Sequence, residues 1–301
     1  MIEAMTRAVP KPEVPRPILL LGGSGRLGAA VDRAASFRGR PVTLLRTHDL
    51  DVEGLPSLIG RIGGRAGLDM VLANGLTDPA LDPATLMRAN AELPLEVARA
   101  VLAQPETRVL TIGTAMEHFP DLVRNNGYMA SKCALAKGVA ALSAEMEPGR
   151  LGHLRLHTLY GGRPHPHMFL GQVLAALKAG QPFAMSHGMQ LREYHHVDDV
   201  GASILAVLDT MPDEPLQTLS HGRPVRLRDL ARTIFFSFGR EDLLRVGEVS
   251  ADIQEDRIGM FPPSPDRLLG PIRDPVAGVV AWVSEILGQR PGVQPGFDPQ
   301  Q

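Results

Sequence analysis

The chain has 301 residues, enough for one large α/β domain or two packed units. Hydrophobic residues make up 44% and charged residues 21%, the balance of a soluble globular protein. Lys and Arg total 31 against 33 Asp and Glu, a formal charge of -2, which gives no support to a broad nucleic-acid surface. The single cysteine, Cys133, excludes an intrachain disulfide and argues against a cysteine-based metal site. No apolar run reaches the length of about 18 residues that a membrane span needs. The charged, proline-rich start does not read as a signal peptide. A cytoplasmic protein is expected.

Residues 1–16 read as a flexible lead-in. An apolar strand over 17–21 runs into Gly22-Gly23-Ser24-Gly25-Arg26-Leu27-Gly28, and a helix follows over 29–37. Further strands are predicted at 42–45, 68–73, 108–112 and 154–159. Helices are predicted at 83–102 and 128–145, the second stopped by Pro148-Gly149. Strands alternating with helices predict a doubly wound parallel sheet, the Rossmann-type α/β class. The later chain gives helices at 169–179, 200–208, 227–236 and 277–287, a proline-rich extended stretch over 255–274, and a mobile tail over 288–301. The expected division is a dinucleotide-binding core over 17–165 and a smaller, mainly substrate-binding region over 166–287. Parts of that region return to the core.

Gly22, Gly25 and Gly28 lie between a predicted strand and a predicted helix. Glycine allows the tight turn and brings backbone close to a pyrophosphate, and the helix N-terminus supplies amides and a favourable dipole. The alternative is a tight turn with no ligand. Arg46 follows the second strand, where a cation suits the 2′-phosphate of NADP. NADP(H) is therefore favoured, while Asp49 and Asp51 keep NAD(H) open. Tyr128 and Lys132 stand one helical turn apart on one face. An ammonium beside the phenol lowers its pKa, so that Tyr128 can pass a proton to or from a carbinol oxygen. A plain surface pair is the competing reading. Thr114, at the end of the fourth strand, donates to the same oxygen or merely caps a turn. Asn90 supports a core backbone group or a water. His165, His167, His195 and His196 raise a metal site, but no carboxylate spacing of a zinc type accompanies them, and none is expected. Asp198 and Asp199 are expected to cap the helix near Val200, and Cys133 to pack as a small side chain.

Taken together and in this order, these motifs resemble the extended short-chain dehydrogenase/reductase superfamily, in its NAD-dependent epimerase/dehydratase branch, over roughly residues 19–230. The glycine turn, including Arg26 and Leu27, looks like that family's cofactor loop. Asp49-Leu50 looks like the pair bordering adenine, and Ala73-Asn74-Gly75 like its Asn-Ala-Ala-Gly turn, altered here. Asn90 matches the family's helix asparagine, and Thr114, Tyr128 and Lys132 its catalytic set. Residues 154–161 resemble Leu-Arg-x-x-Asn-x-Tyr-Gly, with Thr158 for Asn and with Tyr160 beside the cofactor. Arg192 opens a stretch similar to Arg-Asp-Phe/Tyr-Ile-His-Val-Asp-Asp-Val and inherits the role of binding a nucleotide-sugar diphosphate.

The resemblance implies hydride chemistry on a nucleotide sugar, with Thr114, Met116, Tyr128, Thr158 and Arg192 on the substrate. It also implies a homodimer through the helices near 83–102 and 128–145, where Met129, Leu135, Val139 and Leu142 form an apolar stripe. That stripe equally suits packing on the parent sheet. The family's dehydratases carry an Asp-Glu pair after the threonine; here Ala115-Met116-Glu117 stands instead. The expected function is NAD(P)H-dependent reduction of a nucleoside-diphosphate-4-keto-6-deoxyhexose. The alternatives are a 4-epimerase holding NAD tightly, or a catalytically inactive cofactor-binding protein.

Overall fold

The run Ile18–Leu21 (β1) contains no polar residue, and every side chain in it is fully buried. A computed structural model of the chain shows why; it describes residues 15–63, 67–78, 80–119, 126–250 and 261–292. Strand β1 lies inside the sheet. It pairs in parallel with Val42–Leu45 (β2) on one side and Leu68–Leu72 (β3) on the other. Thr107–Thr114 (β4) and Leu151–Leu156 (β5) continue the sheet beyond β3. A sixth strand, Leu216–Thr218, closes that edge, and all pairings are parallel. With both faces covered, alternate residues need no polar side. Ile18 and Leu20 pack into one core with Val71, Ile112 and Leu154, while Leu19 and Leu21 join the other with Met70, Leu72 and Val109.

Helix Arg26–Phe37 (α1) covers the first face together with Val197–Thr210, which the later chain supplies. The second face carries Leu55–Gly63 (α2), the continuous helix of Pro83–Met87 (α3), a π-turn Arg88–Glu92 and Leu93–Leu102 (α4), and then Gly127–Ser143 (α5). A third core holds Phe169–Ala179 (α6), Leu227–Ser237 and Pro275–Leu287, with Phe183, Phe235 and Trp282 inside it. The chain is thus a Rossmann-type α/β fold with a C-terminal helical region. Among the described residues no helix is long and apolar enough to cross a membrane.

The structure departs from expectation in four places. Helix α2 was not foreseen. The strand expected at 154–159 divides: β5 ends at Leu156, and Thr158–Tyr160 (β6) leaves the main sheet to pair with Tyr194–His196. His157 is the residue at the crossing. The helix expected from Val200 starts at Val197, capped by the His196 ring; Asp199 instead binds Arg273 and Asp198 binds Arg33. The 3-10 turn that follows β2, Thr47–Asp49, was not foreseen either. The lead-in over 1–14, the tail over 293–301 and residues 255–260 of the proline-rich stretch lie outside the described residues.

Candidate active site

In open α/β sheets the order of strands reverses at one place, and a crevice opens outside the carboxyl ends there. Here β1 and β3 are neighbours with β2 beyond one and β4 beyond the other, so the reversal lies between β1 and β3. Their two exits touch. Gly22 has φ +93°, and a Cβ on it would lie 2.6 Å from the Asn74 nitrogen. A Cβ on Gly28 would lie 2.2 Å from the Gly22 carbonyl oxygen and 2.7 Å from Gly23 Cα. Both contacts are backbone, so glycine is required at each. Gly28→Ala is expected to weaken dinucleotide binding by about tenfold, roughly 1.4 kcal/mol, in a calorimetric titration, because the turn itself must shift.

A cavity of about 480 Å³ opens over this crevice. Gly25, Arg26 and Leu27 form one wall, Ala73 to Thr77 the second, and Ile112 to Met116 the third. Tyr128 and Lys132 reach in from α5, and Leu156 to Leu159, His165, Met168 and Arg192 close the far side. Thr114, Met116, Tyr128, Lys132, Thr158 and Arg192 are therefore brought together.

Other expected residues stand behind the wall. Asn90, on the π-turn, is fully buried; its Oδ1 accepts the Leu76 N–H at 2.7 Å, and its Nδ2 donates to the Leu76 carbonyl and to Ser131 Oγ. It clamps the second wall to α5. Arg46 and Asp49 are exposed past β2, and Leu50 packs at the edge of the second core. Tyr160 points elsewhere. It is 1% exposed, packed among His196 and Trp282, and its hydroxyl has no hydrogen-bond partner among the described residues. Tyr160→Phe is expected to leave dinucleotide affinity unchanged and to raise stability by about 1 kcal/mol, since a buried unpaired hydroxyl is unfavourable. A fall in that affinity would place Tyr160 on the cofactor.

The electrostatics of the pair on α5 differ from expectation. Lys132 is buried, and its Nζ donates to the Ile112 carbonyl at 2.9 Å. Burial pulls it down to about 8, against the attraction of Glu117. Burial pushes the Tyr128 phenol up to about 12, and Glu117 adds to that. The lowering expected from Lys132 is not found: burial first, then Glu117, account for the Tyr128 shift, and both raise it. Across the cleft, burial also lowers Arg26; its Nη1 lies 3.4 Å from the Gly161 carbonyl.

Glu117, three residues after Thr114, does not line the cavity. It accepts the Thr114 N–H, while Thr114 Oγ1 accepts that of Met116. Sequence reading also missed His157, Thr77 and Met168. A strand drawn straight through 154–159 puts His157 on a sheet face; the only cue was its place before Thr158 in the strand-end motif.

A second buried cluster adjoins the cleft. Glu193 accepts from His195 Nε2 at 3.1 Å, from Ser220 Oγ at 2.7 Å and from the His221 N–H at 2.9 Å, with His157 Nε2 4.0 Å away. Burial raises its pKa, but these hydrogen bonds and the nearby imidazoles take it down to about 2. Glu193, His195 and His221 are residue types that ligate metals. Their geometry is that of a hydrogen-bonded stack instead. The His195 and His221 rings lie 4.3 Å apart at 23°, so their planes do not converge on a shared ion. His221 also commits both nitrogens, one accepting from the Arg223 N–H and one donating to the Tyr194 carbonyl.

The glycine cradle, the N-terminus of α1 and the buried Asn74 Oδ1, the last two without a side-chain cap or hydrogen-bond partner among the described residues, all fit a dinucleotide. A model of the NAD dependent epimerase/dehydratase family matches residues 18–217. No curated protein matches the chain in sequence. Similar solved structures include a UDP-N-acetylglucosamine 4-epimerase from Bacillus cereus, 16% identical, covering 91% of this chain and 99% of that one at a TM-score of 0.71. A dTDP-glucose 4,6-dehydratase from Bacillus anthracis, in complex with NAD, is 13% identical over 90% and 97% at 0.70. A UDP-glucose 4-epimerase from Thermus thermophilus, also with NAD, is 16% identical over 90% and 99% at 0.69.

The favoured NADP(H) preference is corrected by these matches. The family is described as NAD dependent, and matched structures solved with a cofactor hold NAD. The physical reason lies at Arg46. Its guanidinium faces the Asp49 carboxylate at 3.7 Å, and both are mostly exposed. A carboxylate beside that cation disfavours a 2′-phosphate and suits free ribose hydroxyls.

Proposed function

We propose, because the chain belongs to the NAD dependent epimerase/dehydratase family, that it transfers a hydride between NAD and C4 of a hexose carried on a nucleoside diphosphate. The observation that carries this reading is the meeting of Thr114, Tyr128, Lys132 and Arg192 in one cleft opposite the glycine turn. The nucleotide-sugar class draws support from structural neighbours that act on dTDP- and UDP-sugars.

When bound, NAD supplies or takes up the hydride. The first turn of α1 offers its free amides to the cofactor diphosphate, with Arg26 beside them. Asp49 is the residue proposed for the adenosine ribose hydroxyls. Lys132 orients the nicotinamide ribose. Tyr128 holds its proton at neutral pH and gives it to the C4 oxygen as that oxygen gains charge. Thr114 hydrogen-bonds the same oxygen, and Arg192 pairs with the substrate diphosphate.

Elimination of water needs an acid and a base beside the redox centre. Ala115 and Met116 fill the two positions after Thr114, and both Glu117 oxygens are engaged. No carboxylate lines the cavity among the described residues. This favours simple redox at C4 over dehydration. The phenol held protonated favours net reduction of a 4-keto-6-deoxyhexose. The second reading, 4-epimerisation, is favoured by the NAD correction, because an epimerase recycles its cofactor within one turnover.

The test is to measure NAD retained by the purified protein, then to supply nucleotide 4-keto-6-deoxyhexoses and ordinary nucleotide hexoses. Oxidation of NADH by a keto sugar establishes the reductase. Interconversion of ordinary sugars without net NADH change establishes the epimerase. Loss of water from an ordinary nucleotide hexose overturns both.

A further inference from the structure

Behind the third wall of the cleft lies a buried carboxylate that none of the proposed steps uses. The Glu117 side chain is 1% exposed, on a 3-10 turn directly after β4. Its Oε1 accepts the Thr114 N–H at 2.8 Å. Its Oε2 meets His153 Nε2 and Arg155 Nε, both at 2.9 Å and both from β5. The His153 ring is itself fully buried and pairs through Nδ1 with Thr111 Oγ1 at 2.7 Å. A carboxylate buried without partners is unfavourable; three donors from two chain segments hold this one charged and fixed. Burial raises its pKa, but His153, the Thr114 N–H and Arg155 bring it below the usual carboxylate range.

The carboxylate sits against the thinnest part of the wall. A Cβ on Gly113 would lie 2.4 Å from Glu117 Oε1 and 2.2 Å from His153 Nε2. On either side of Gly113 are Ile112, whose carbonyl holds Lys132 Nζ, and Thr114. Lys132 itself makes no ion pair among the described residues; the charge that bears on it is that of Glu117.

We propose that Glu117 is the positioning residue of this site: it fixes Thr114 at the strand end, and from behind Gly113 its charge, paired with Arg155, favours the ammonium form of Lys132. The Ile112 carbonyl holds that ammonium, and the charge that bears on it is Glu117, whose own partners are the Thr114 N–H, His153 and Arg155. Glu117 acts in one sense on both α5 side chains, keeping Lys132 charged and Tyr128 neutral. Use of that charge in turnover rests on the function proposed above; the coupling itself does not.

The chain has only four lysines, Lys11, Lys132, Lys137 and Lys178. Labelling them with carbon-13 at Cε therefore gives four resonances that can be titrated by NMR, with Lys132→Met assigning its own by loss. In the unaltered protein Lys132 is expected to titrate near 8. Glu117→Gln moves its midpoint down by about one unit, and Arg155→Met, which removes the opposing cation, moves it up. Midpoints unchanged in both variants overturn the proposal. If Glu117→Gln fails to fold by circular dichroism, Arg155→Met decides alone. The alkaline limb of kcat/KM should follow the same two shifts. Shifts seen by NMR but absent from that limb leave the charge coupling standing and sink the proposed role of Lys132.

Discussion

Replacing Tyr128 by phenylalanine lowers kcat/KM by about 100- to 10,000-fold, the usual contribution of a positioned acid or base. The substitution removes one hydroxyl at the cleft and no packing atoms, so the fold and NAD affinity stay unchanged. A phenol pushed up to about 12 carries its proton throughout the working range. Tyr128 therefore does not set the alkaline limb of the pH profile. Lys132 does: its ammonium, lowered to about 8, loses charge as pH rises through that value, and turnover falls with it. Steady-state kinetics of both forms across pH check this. A phenylalanine variant with near-normal turnover shows that another group supplies the proton.

The parts of this site that were legible in the sequence are those whose position depends on local geometry. Gly22, Gly25 and Gly28 form one turn. Tyr128 and Lys132 are four apart on one helix, and Thr114 ends a strand whose apolar run is unmistakable. Once β1 to β5 are in order, these segments meet at the carboxyl ends of the strands whatever the details of packing. The fold was legible for the same reason: Ile18–Leu21 is wholly apolar because both of its faces are covered. What failed depends on where a chain turns by one residue. At His157 the strand crosses from one sheet to another, which put His157 in the cleft and carried Tyr160 into the third core. Helix α2 carries Pro56, Gly60 and Gly63, each a breaker by composition, yet Leu55 and Ile59 anchor it to the second core. Arg46 read as a phosphate ligand because the sequence shows Asp49 nearby but not that its carboxylate turns toward the guanidinium.

The largest effect on stability belongs to a residue that no motif marks. Asp69→Asn is expected to cost about 3–5 kcal/mol, the penalty of breaking a buried ionic cluster from one side. Asp69 lies on β3, is completely buried, and sits among three arginines from three other segments. Arg16 Nε and Arg108 Nε reach its Oδ1 at 3.0 and 2.7 Å, while Arg108 Nη2, at 2.8 Å, and Arg40 Nη2 reach its Oδ2. Arg40 is also buried; desolvation lowers its pKa, and Asp69 is the first of the attractions that oppose this. Asparagine keeps the size of the side chain but leaves those guanidiniums facing a neutral amide. Asp209, mostly exposed and 3.5 Å from Arg40, compensates only weakly. Arg33→Gln provides the contrast. It breaks the pair with Asp198, whose side chains are 58% and 42% exposed, and should cost less than about 1 kcal/mol. Urea denaturation of both variants measures the two costs under one condition. A loss at Asp69 no larger than the loss at Arg33 would show that water, rather than Asp69, balances the three arginines.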